Sequence, residues 1–267
     1  MSEIIAFSGK KQSGKTTAAN FMFGISLQQL QLIDHFSMSA DGKLVVPTKG
    51  GKYETLDLAS TPRTLVPEMV EFMRNEVWPY IKVYNFAEPL KDYMIAVFGL
   101  TWEQCYGTDD QKNTETEYLW ENMPVKIKGK KGKMLARELV QYWGTEVMRS
   151  IDDNIWVRAT LNKIKAENPE IAIIGDCRFP NEVQGILDVD GKVYRLTKNS
   201  ESKDRHRSET ALDKDKFDWS IFTKVLENEN ITIDEQCDNI FKLMVEAKVF
   251  NGEIVNEDGV FQGENNG

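Results

Sequence analysis

Apolar positions along this chain follow two rhythms. Nearly unbroken apolar runs occur at Ile4-Ile5-Ala6-Phe7 and Ile171-Ala172-Ile173-Ile174, the pattern of strands buried on both faces. Val83 to Ala87, residues 192–197 and a segment near 221–226 predict further strands. Helical spacing fills the intervals. Residues 16–33 carry Phe21, Ile25, Leu27, Leu30 and Leu32; Pro62 to Trp78 reads as a helix opening near Pro67 and stopped by Pro79. A helix begins at Glu88-Pro89 with Leu90, Tyr93, Met94, Val97 and Phe98, and others are expected over about 134–149, 153–166, 181–187 and 234–249. Strands alternating with helices predict an α/β fold, a doubly wound parallel sheet with helices on both faces. Ligands of such sheets gather beyond the carboxyl ends of the strands.

Four segments break the alternation. Turn signals at Gly42-Lys43 and Gly50-Gly51 bracket Leu44-Val45-Val46 and predict a hairpin insertion within 36–58. Residues 106–133 are polar and poorly periodic, ending in the Lys-rich run Lys126 to Lys133. That run is either a solvated loop or a basic lid near phosphates. A charged loop covers 198–210, and 251–267 is rich in Gly, Asn and Glu without a core pattern. The expected layout is one domain over 1–250 with inserts at about 36–80 and 106–133, a lid near 198–210, and a polar flexible tail over 251–267.

The 267 residues suffice for one large α/β domain with insertions, and the net charge of −9 argues against a general nucleic-acid binder. Cys105, Cys177 and Cys237 are odd in number and widely spaced, which predicts neither a disulfide framework nor a zinc site and suits a reducing cytoplasm. No signal peptide is expected before the first strand, and no apolar run approaches the ~20 residues of a membrane span.

Between the first strand and the first helix stands Gly9-Lys10-Lys11-Gln12-Ser13-Gly14-Lys15-Thr16, which fits G-x-x-x-x-G-K-[ST] at every fixed position. This is the P-loop NTPase setting. Gly9 and Gly14 let the backbone turn so that successive N–H groups point inward, and the helix N-terminus adds positive potential at the same place. Lys15 supplies a cation for the β- and γ-phosphates of ATP, and the Thr16 hydroxyl is placed for Mg²⁺. The expected nucleotide-holding set is Gly9, Lys11, Ser13, Gly14, Lys15, Thr16 and Thr17.

Other residues are candidates for the same chemistry. Asp176 ends an apolar strand, as a magnesium carboxylate or as a plain strand cap. Arg178 can clamp a phosphoryl group bidentately or form a surface ion pair. Arg205 and Arg207 flank His206 in the charged loop, suiting a lid that closes over phosphates and excludes water, or a solvated charge run. Arg137 is a candidate for the acceptor phosphate, with a helix salt bridge as the alternative. Trp143 and Trp156 fit a core better than a base platform. Lys91 lies in the first turn of its helix, where a cation calls for a local partner such as a phosphate.

Taken in order, these motifs resemble the deoxynucleoside monophosphate kinase of T-even bacteriophages. The resemblance runs through Ile5 to Thr17, Phe86-Ala87-Glu88-Pro89-Leu90-Lys91-Asp92, Arg137 to Glu146, Trp156-Val157, Asp176-Cys177-Arg178 and His206-Arg207-Ser208-Glu209, about a third of the chain. It implies an adenylate-kinase-like fold, ATP- and Mg²⁺-dependent phosphorylation of a deoxynucleoside monophosphate to the diphosphate, a homodimer, and the cytoplasm of an infected bacterium. It assigns Lys15 and Thr16 to ATP and Mg²⁺, Arg137 and Arg178 to phosphates, and Lys91 to the acceptor pocket. Asn228 is expected near the adenine, as in related kinases. The sequence departs from the family pattern over 37–80 and 106–133, where such enzymes read the base.

The expected chemistry is in-line transfer of the γ-phosphoryl of ATP to a nucleotide 5′-phosphate, with Lys15, Arg137, Arg178 and Arg205 gathering charge and Thr16 and Asp176 at the metal. Lys91, Arg137, Trp143, Asp176 and Arg178 would serve the acceptor. Two rivals share the phosphate motif. One is a kinase for another small phosphorylated metabolite, of the dephospho-coenzyme A kinase kind. The other is a nucleotide-dependent switch, for which Asp188-Val189-Asp190-Gly191 formally fits D-x-x-G but no N-K-x-D guanine reader follows.

Overall fold

Five strands assemble in parallel into one sheet. The computed structural model describes residues 2–47, 51–56, 67–198, 210–250, 253–256 and 259–262, with Pro67 and the last two segments as backbone alone. The strands are β1 (Glu3–Ser8), β2 (Ile81–Tyr84), β3 (Ile171–Cys177), β4 (Lys192–Thr197) and β5 (Lys224–Glu227), in the spatial order β2-β3-β1-β4-β5. The order reverses beside β1, so the crevice at its carboxyl end is the topological switch point, where open α/β sheets hold ligands.

Burial explains the sheet. Ile5, Phe7, Ile173, Tyr194 and Leu196 enter one core, while the alternating Ile4, Ala6, Ala172, Ile174 and Val193 are equally buried. Both faces are therefore covered, and the strands read as apolar runs. The sheet is flanked by α1 (Lys15–Gln29), α5 (Pro180–Leu187) and α6 (Ile233–Glu246). Helix α1 is buried nearly all round, from Ala18 to Leu27, because it packs against the sheet, α6 and the strand Leu44–Pro47. It stops at Gln29 rather than running to 33. Leu32 N donates to Leu27 O at 3.0 Å and Gln31 takes φ +57°, a Schellman ending with glutamine where glycine is usual.

The expected hairpin after α1 is a three-stranded antiparallel sheet of Ser37–Met38, Leu44–Pro47 and Tyr53–Leu56. The helix from Pro67 widens at Met73–Val77 into a π turn closed by Trp78 N to Met73 O, 2.7 Å. Within the segment read as a polar tail, 253–256 and 259–262 pair as an antiparallel ladder. The expected lid lies almost wholly in 199–209, outside the described residues, and Arg205 with it.

The chain divides into two compact units, Met1–Asn85 with Ile164–Gly267, and Phe86–Lys163. The second contains α2 (Ala87–Phe98), α3 (Ala136–Tyr142), and α4 (Ile155–Glu167), which continues into the first unit. Its own core gathers Leu90, Met94, Trp120, Met134, Leu139, Tyr142 and Trp156. Residues 106–133 are more ordered than their composition suggests. Thr101 with Gln104, and Thr108 with Gln111, form reciprocal capping boxes that start the helices Trp102–Tyr106 and Asp109–Lys112. Glu115–Leu119 then pairs with Lys133–Leu135 around the buried Trp120 and Met123.

Candidate active site

Ser8 closes β1, and the register places Cys177 on one side of it and Arg195 on the other. Ala6 pairs with Ile174 but Ser8 with Cys177, so β3 carries one extra residue over Gly175-Asp176. Such a bulge re-aims side chains at a strand end, here those of Asp176 and Arg178.

The turn from Gly9 to Gly14 follows. A methyl group on Gly9 would meet Ser13 Oγ and lie 2.8 Å from the backbone carbonyl oxygen of Leu196, so β4 leaves room only for glycine. Gln12 takes φ +64° and Gly14 φ +92°. Three bonds hold this shape: Ser13 N donates to Lys10 O (3.2 Å), Asn228 Nδ2 to Ser13 O (3.1 Å), and Gln236 Nε2 to Gly14 O (2.7 Å). Both supporting amides are buried, Asn228 with 3% of its surface exposed. Gly14 also receives Ala18 N at 2.9 Å, so α1 grows directly out of the turn.

Lys15 folds back across the turn. Its ammonium donates to Gly9 O at 2.7 Å and Lys10 O at 2.5 Å, with Ser13 Oγ at 3.4 Å, and 6% of the residue is exposed. Burial first, then the guanidinium groups of Arg178 and Arg195, lower its pKa to about 7, while Asp176 opposes them. Lys15, Asp176, Arg178 and Arg195 thus share one electrostatic neighbourhood. Thr16 is exposed at the first turn of α1, beside Thr17, against which the Gly42 turn packs; Lys11 is exposed. Glu182, buried at the start of α5, accepts from Arg178 N (2.7 Å) and Phe179 N (3.0 Å) and so fixes the backbone that carries Arg178.

The other predicted contacts lie in the second unit. Lys91 Nζ stands 4.3 Å over the Tyr106 ring, whose hydroxyl donates to Asp92 Oδ1 at 3.1 Å. Arg137 pairs with Asp109 at 2.5 Å, an ion pair across two helices rather than along one. Trp143 meets Phe98 edge-on at 4.6 Å, and its buried indole N–H has no partner among the described residues. It opens a π turn, Trp143–Met148, inside the Arg137–Glu146 motif, and such turns often mark functional sites. Trp156 is a core residue that donates to Gly144 O at 3.1 Å, bracing that turn. In the Lys-rich run, Lys126 binds the carbonyls of Glu121 and Met123, Lys130 binds Glu138, and Lys133 binds Glu115. These three charges are used locally.

Sequence reasoning passed over three residues of the first unit. Arg195 was visible as a lone charge in the apolar strand Val193-Tyr194-Arg195-Leu196. Gln236 and Asp213 carried no signal, since their roles depend on tertiary packing.

As for magnesium, no group of three or more His, Cys, Asp or Glu that could hold a metal occurs among the described residues. One hydroxyl and one carboxylate, Thr16 and Asp176, suit Mg²⁺, which takes one or two protein oxygens together with substrate phosphates and water.

Comparison with known proteins identifies the chemistry. The chain is 29% identical over 180 residues to a protein of Acanthamoeba polyphaga mimivirus named "Putative deoxynucleotide monophosphate kinase", covering 62% of this chain and 84% of that protein. The sequence model of the family described as deoxynucleotide monophosphate kinase matches residues 90–234. That stretch takes in Lys91, Arg137, Trp143, Asp176, Arg178 and Asn228 but not the glycine turn, whose geometry stands independently of the match. The chain belongs to the deoxynucleotide monophosphate kinase family, phosphotransferases that act on deoxynucleotide monophosphates.

Proposed function

We propose that the turn from Gly9 to Thr16 is a P-loop that holds the triphosphate of ATP, and that the protein transfers the γ-phosphoryl to the 5′-phosphate of a deoxynucleoside monophosphate. The observation that carries this reading is the Lys15 ammonium, bound to the carbonyls of Gly9 and Lys10 at the switch point of a parallel sheet. In the free protein those carbonyls occupy a cation otherwise poised for an anion. Backbone N–H groups around the left-handed Gly14 and the start of α1 add positive potential at the same point.

The residues divide the work. Lys15 and Arg178 neutralise charge on the transferring group, and the Glu182 cap fixes the backbone from which Arg178 reaches. Thr16 and Asp176 would hold magnesium, which supplies charge neutralisation at the phosphates. The acceptor phosphate is already ionised at neutral pH, so no general base is required; the enzyme's task is to hold two anions in line. Lys91, Arg137 and Trp143 serve the acceptor nucleotide, and Arg205 the closing lid. Asn228 acts through the loop carbonyl it holds, whether or not adenine also meets it. The ordered motifs support placing the chain with the T-even phage type, in one kinase domain over 1–250 with inserts at about 36–80 and 106–133.

A coupled assay of ADP release over the four deoxynucleoside monophosphates tests this. Turnover with at least one, dependent on magnesium, is expected. Silence with all four and turnover with another phosphorylated metabolite would reassign the acceptor.

A further inference from the structure

Arg195 is the unusual charge of the first unit. It lies in β4, 4% exposed, with apolar neighbours along the strand and Ser8 opposite in the register. Its Nη1 donates to Ser8 Oγ at 2.9 Å and its Nη2 to Leu212 O at 3.4 Å; its Nε has no partner among the described residues. Among the described residues no carboxylate hydrogen-bonds to it. The ring of Trp219 lies 5.2 Å from the guanidinium carbon and that of Phe222 5.9 Å, a cation–π surround that offsets part of the desolvation cost.

One residue links this buried cation to the glycine turn. Asp213 follows Leu212 and bonds Lys10 Nζ at 3.0 Å. Its carboxylate also acts on Arg195 through space. Lys10 is the residue whose carbonyl receives the Lys15 ammonium. Asp213 is well placed to do this, because its own carbonyl caps a tight turn, accepting Lys216 N at 2.8 Å and Phe217 N at 3.0 Å, while Trp219 Nε1 holds Leu212 O at 2.9 Å.

We propose that Arg195 is a positioning residue of the phosphate site, a buried cation beneath Ser8 that attracts the anion held by the turn, and that Asp213 is the counter-charge shared by Arg195 and Lys10 until a polyphosphate takes its place. The inference rests on the P-loop reading above. A guanidinium enclosed by protein acts through a medium that screens it less than water does, so its pull grows with the charge of the ligand and survives without direct contact. A merely structural arginine would lack that dependence on ligand charge.

Calorimetric binding of ATP, ADP and AMP to the full chain separates the two roles. Arg195→Met is expected to weaken ATP by ~10-fold or more, ADP less and AMP least, whereas Arg195→Lys, which keeps the charge, stays within ~3-fold of the unaltered protein. Asp213→Asn is expected to bind ATP as tightly or more tightly. Equal losses for all three nucleotides in Arg195→Met, or no rescue by lysine, overturn the proposal. Weaker ATP binding in Asp213→Asn also overturns it, since that result marks a structural strap; this variant decides the matter even if Arg195→Met does not fold. Absence of ATP binding by the folded, unaltered protein would instead remove the P-loop reading.

Discussion

The Lys15 ammonium donates to the carbonyl of Gly9, six residues earlier, at 2.7 Å. The cation that phosphate chemistry calls for is thus stored on the turn that would present it. Exchanging these carbonyls for phosphate oxygens costs little reorganisation, because the side chain already lies across the turn. Lys15→Ala is expected to lower kcat by at least ~100-fold, the scale of losing a preorganised charge, with the thermal transition retained. Steady-state kinetics check it, and near-normal turnover would remove Lys15 from the reaction.

The proton affinity of Lys15 makes a second prediction. Its pKa is about 7 in the folded chain, against 10.5 as the ordinary value. Below pH 7 the amine is protonated folded and unfolded alike. Between about 7 and 10.5 the unfolded chain keeps a proton that the folded chain has released, so stability rises with pH through that window. Urea midpoints of the nucleotide-free protein at pH 7 and pH 10 are expected to show this rise, and Lys15→Met to lose that part of it. Parallel pH profiles for the two proteins would contradict the assignment.

Gly9 tests the turn itself. The obstacle to any side chain there is the Leu196 carbonyl, which is backbone within the sheet and cannot swing away. Gly9→Ala is expected to destabilise by about 1–3 kcal/mol, the usual cost of forcing volume into a filled space, and to raise the KM for ATP. Denaturant melts and kinetics together would reveal it.

Asn228 separates support from recognition. Its buried amide donates to Ser13 O at 3.1 Å. Asn228→Ala leaves that carbonyl unpaired, with an expected cost of ~1–3 kcal/mol. If its work is to hold the loop, ATP and GTP weaken by the same factor. A changed ATP-to-GTP preference would assign it to the base instead.

In the second unit, Trp156→Phe removes the donor to Gly144 O while keeping an aromatic ring in the core. A loss of ~1 kcal/mol is expected from the lost hydrogen bond. Because this bond braces the π turn carrying Trp143, turnover should fall more than ATP affinity does. Unchanged kinetics would reduce Trp156 to core packing.

Much of this was legible in the chain because local and global signals agree there. The runs Ile4–Phe7 and Ile171–Ile174 had no other use than doubly covered strands, and Gly9 to Thr16 carries its own turn chemistry. Helix α1 misled because it is buried nearly all round, so its apolar positions show no single stripe, and because Gln31 ends it with a left-handed residue that is not glycine. The 106–133 segment looked like loop since its short helices rest on capping boxes and not on periodicity; Thr101/Gln104 and Thr108/Gln111 were the signal to read. Arg195, Asp213 and Gln236 could not be assigned from spacing, because the partners they bond, Ser8, Lys10 and Gly14, lie nearly two hundred or more residues away in sequence.

The central claim is that the turn after β1 grips a triphosphate through Lys15 and its amide hydrogens. The most direct measurement is a calorimetric titration of the folded protein with ATP, with and without magnesium, repeated on Lys15→Ala. The account predicts saturable binding near one nucleotide per chain, strengthened by magnesium and largely lost in the variant. Folded protein that takes up no purine triphosphate, or a variant that binds it as well as the unaltered chain, would contradict the account.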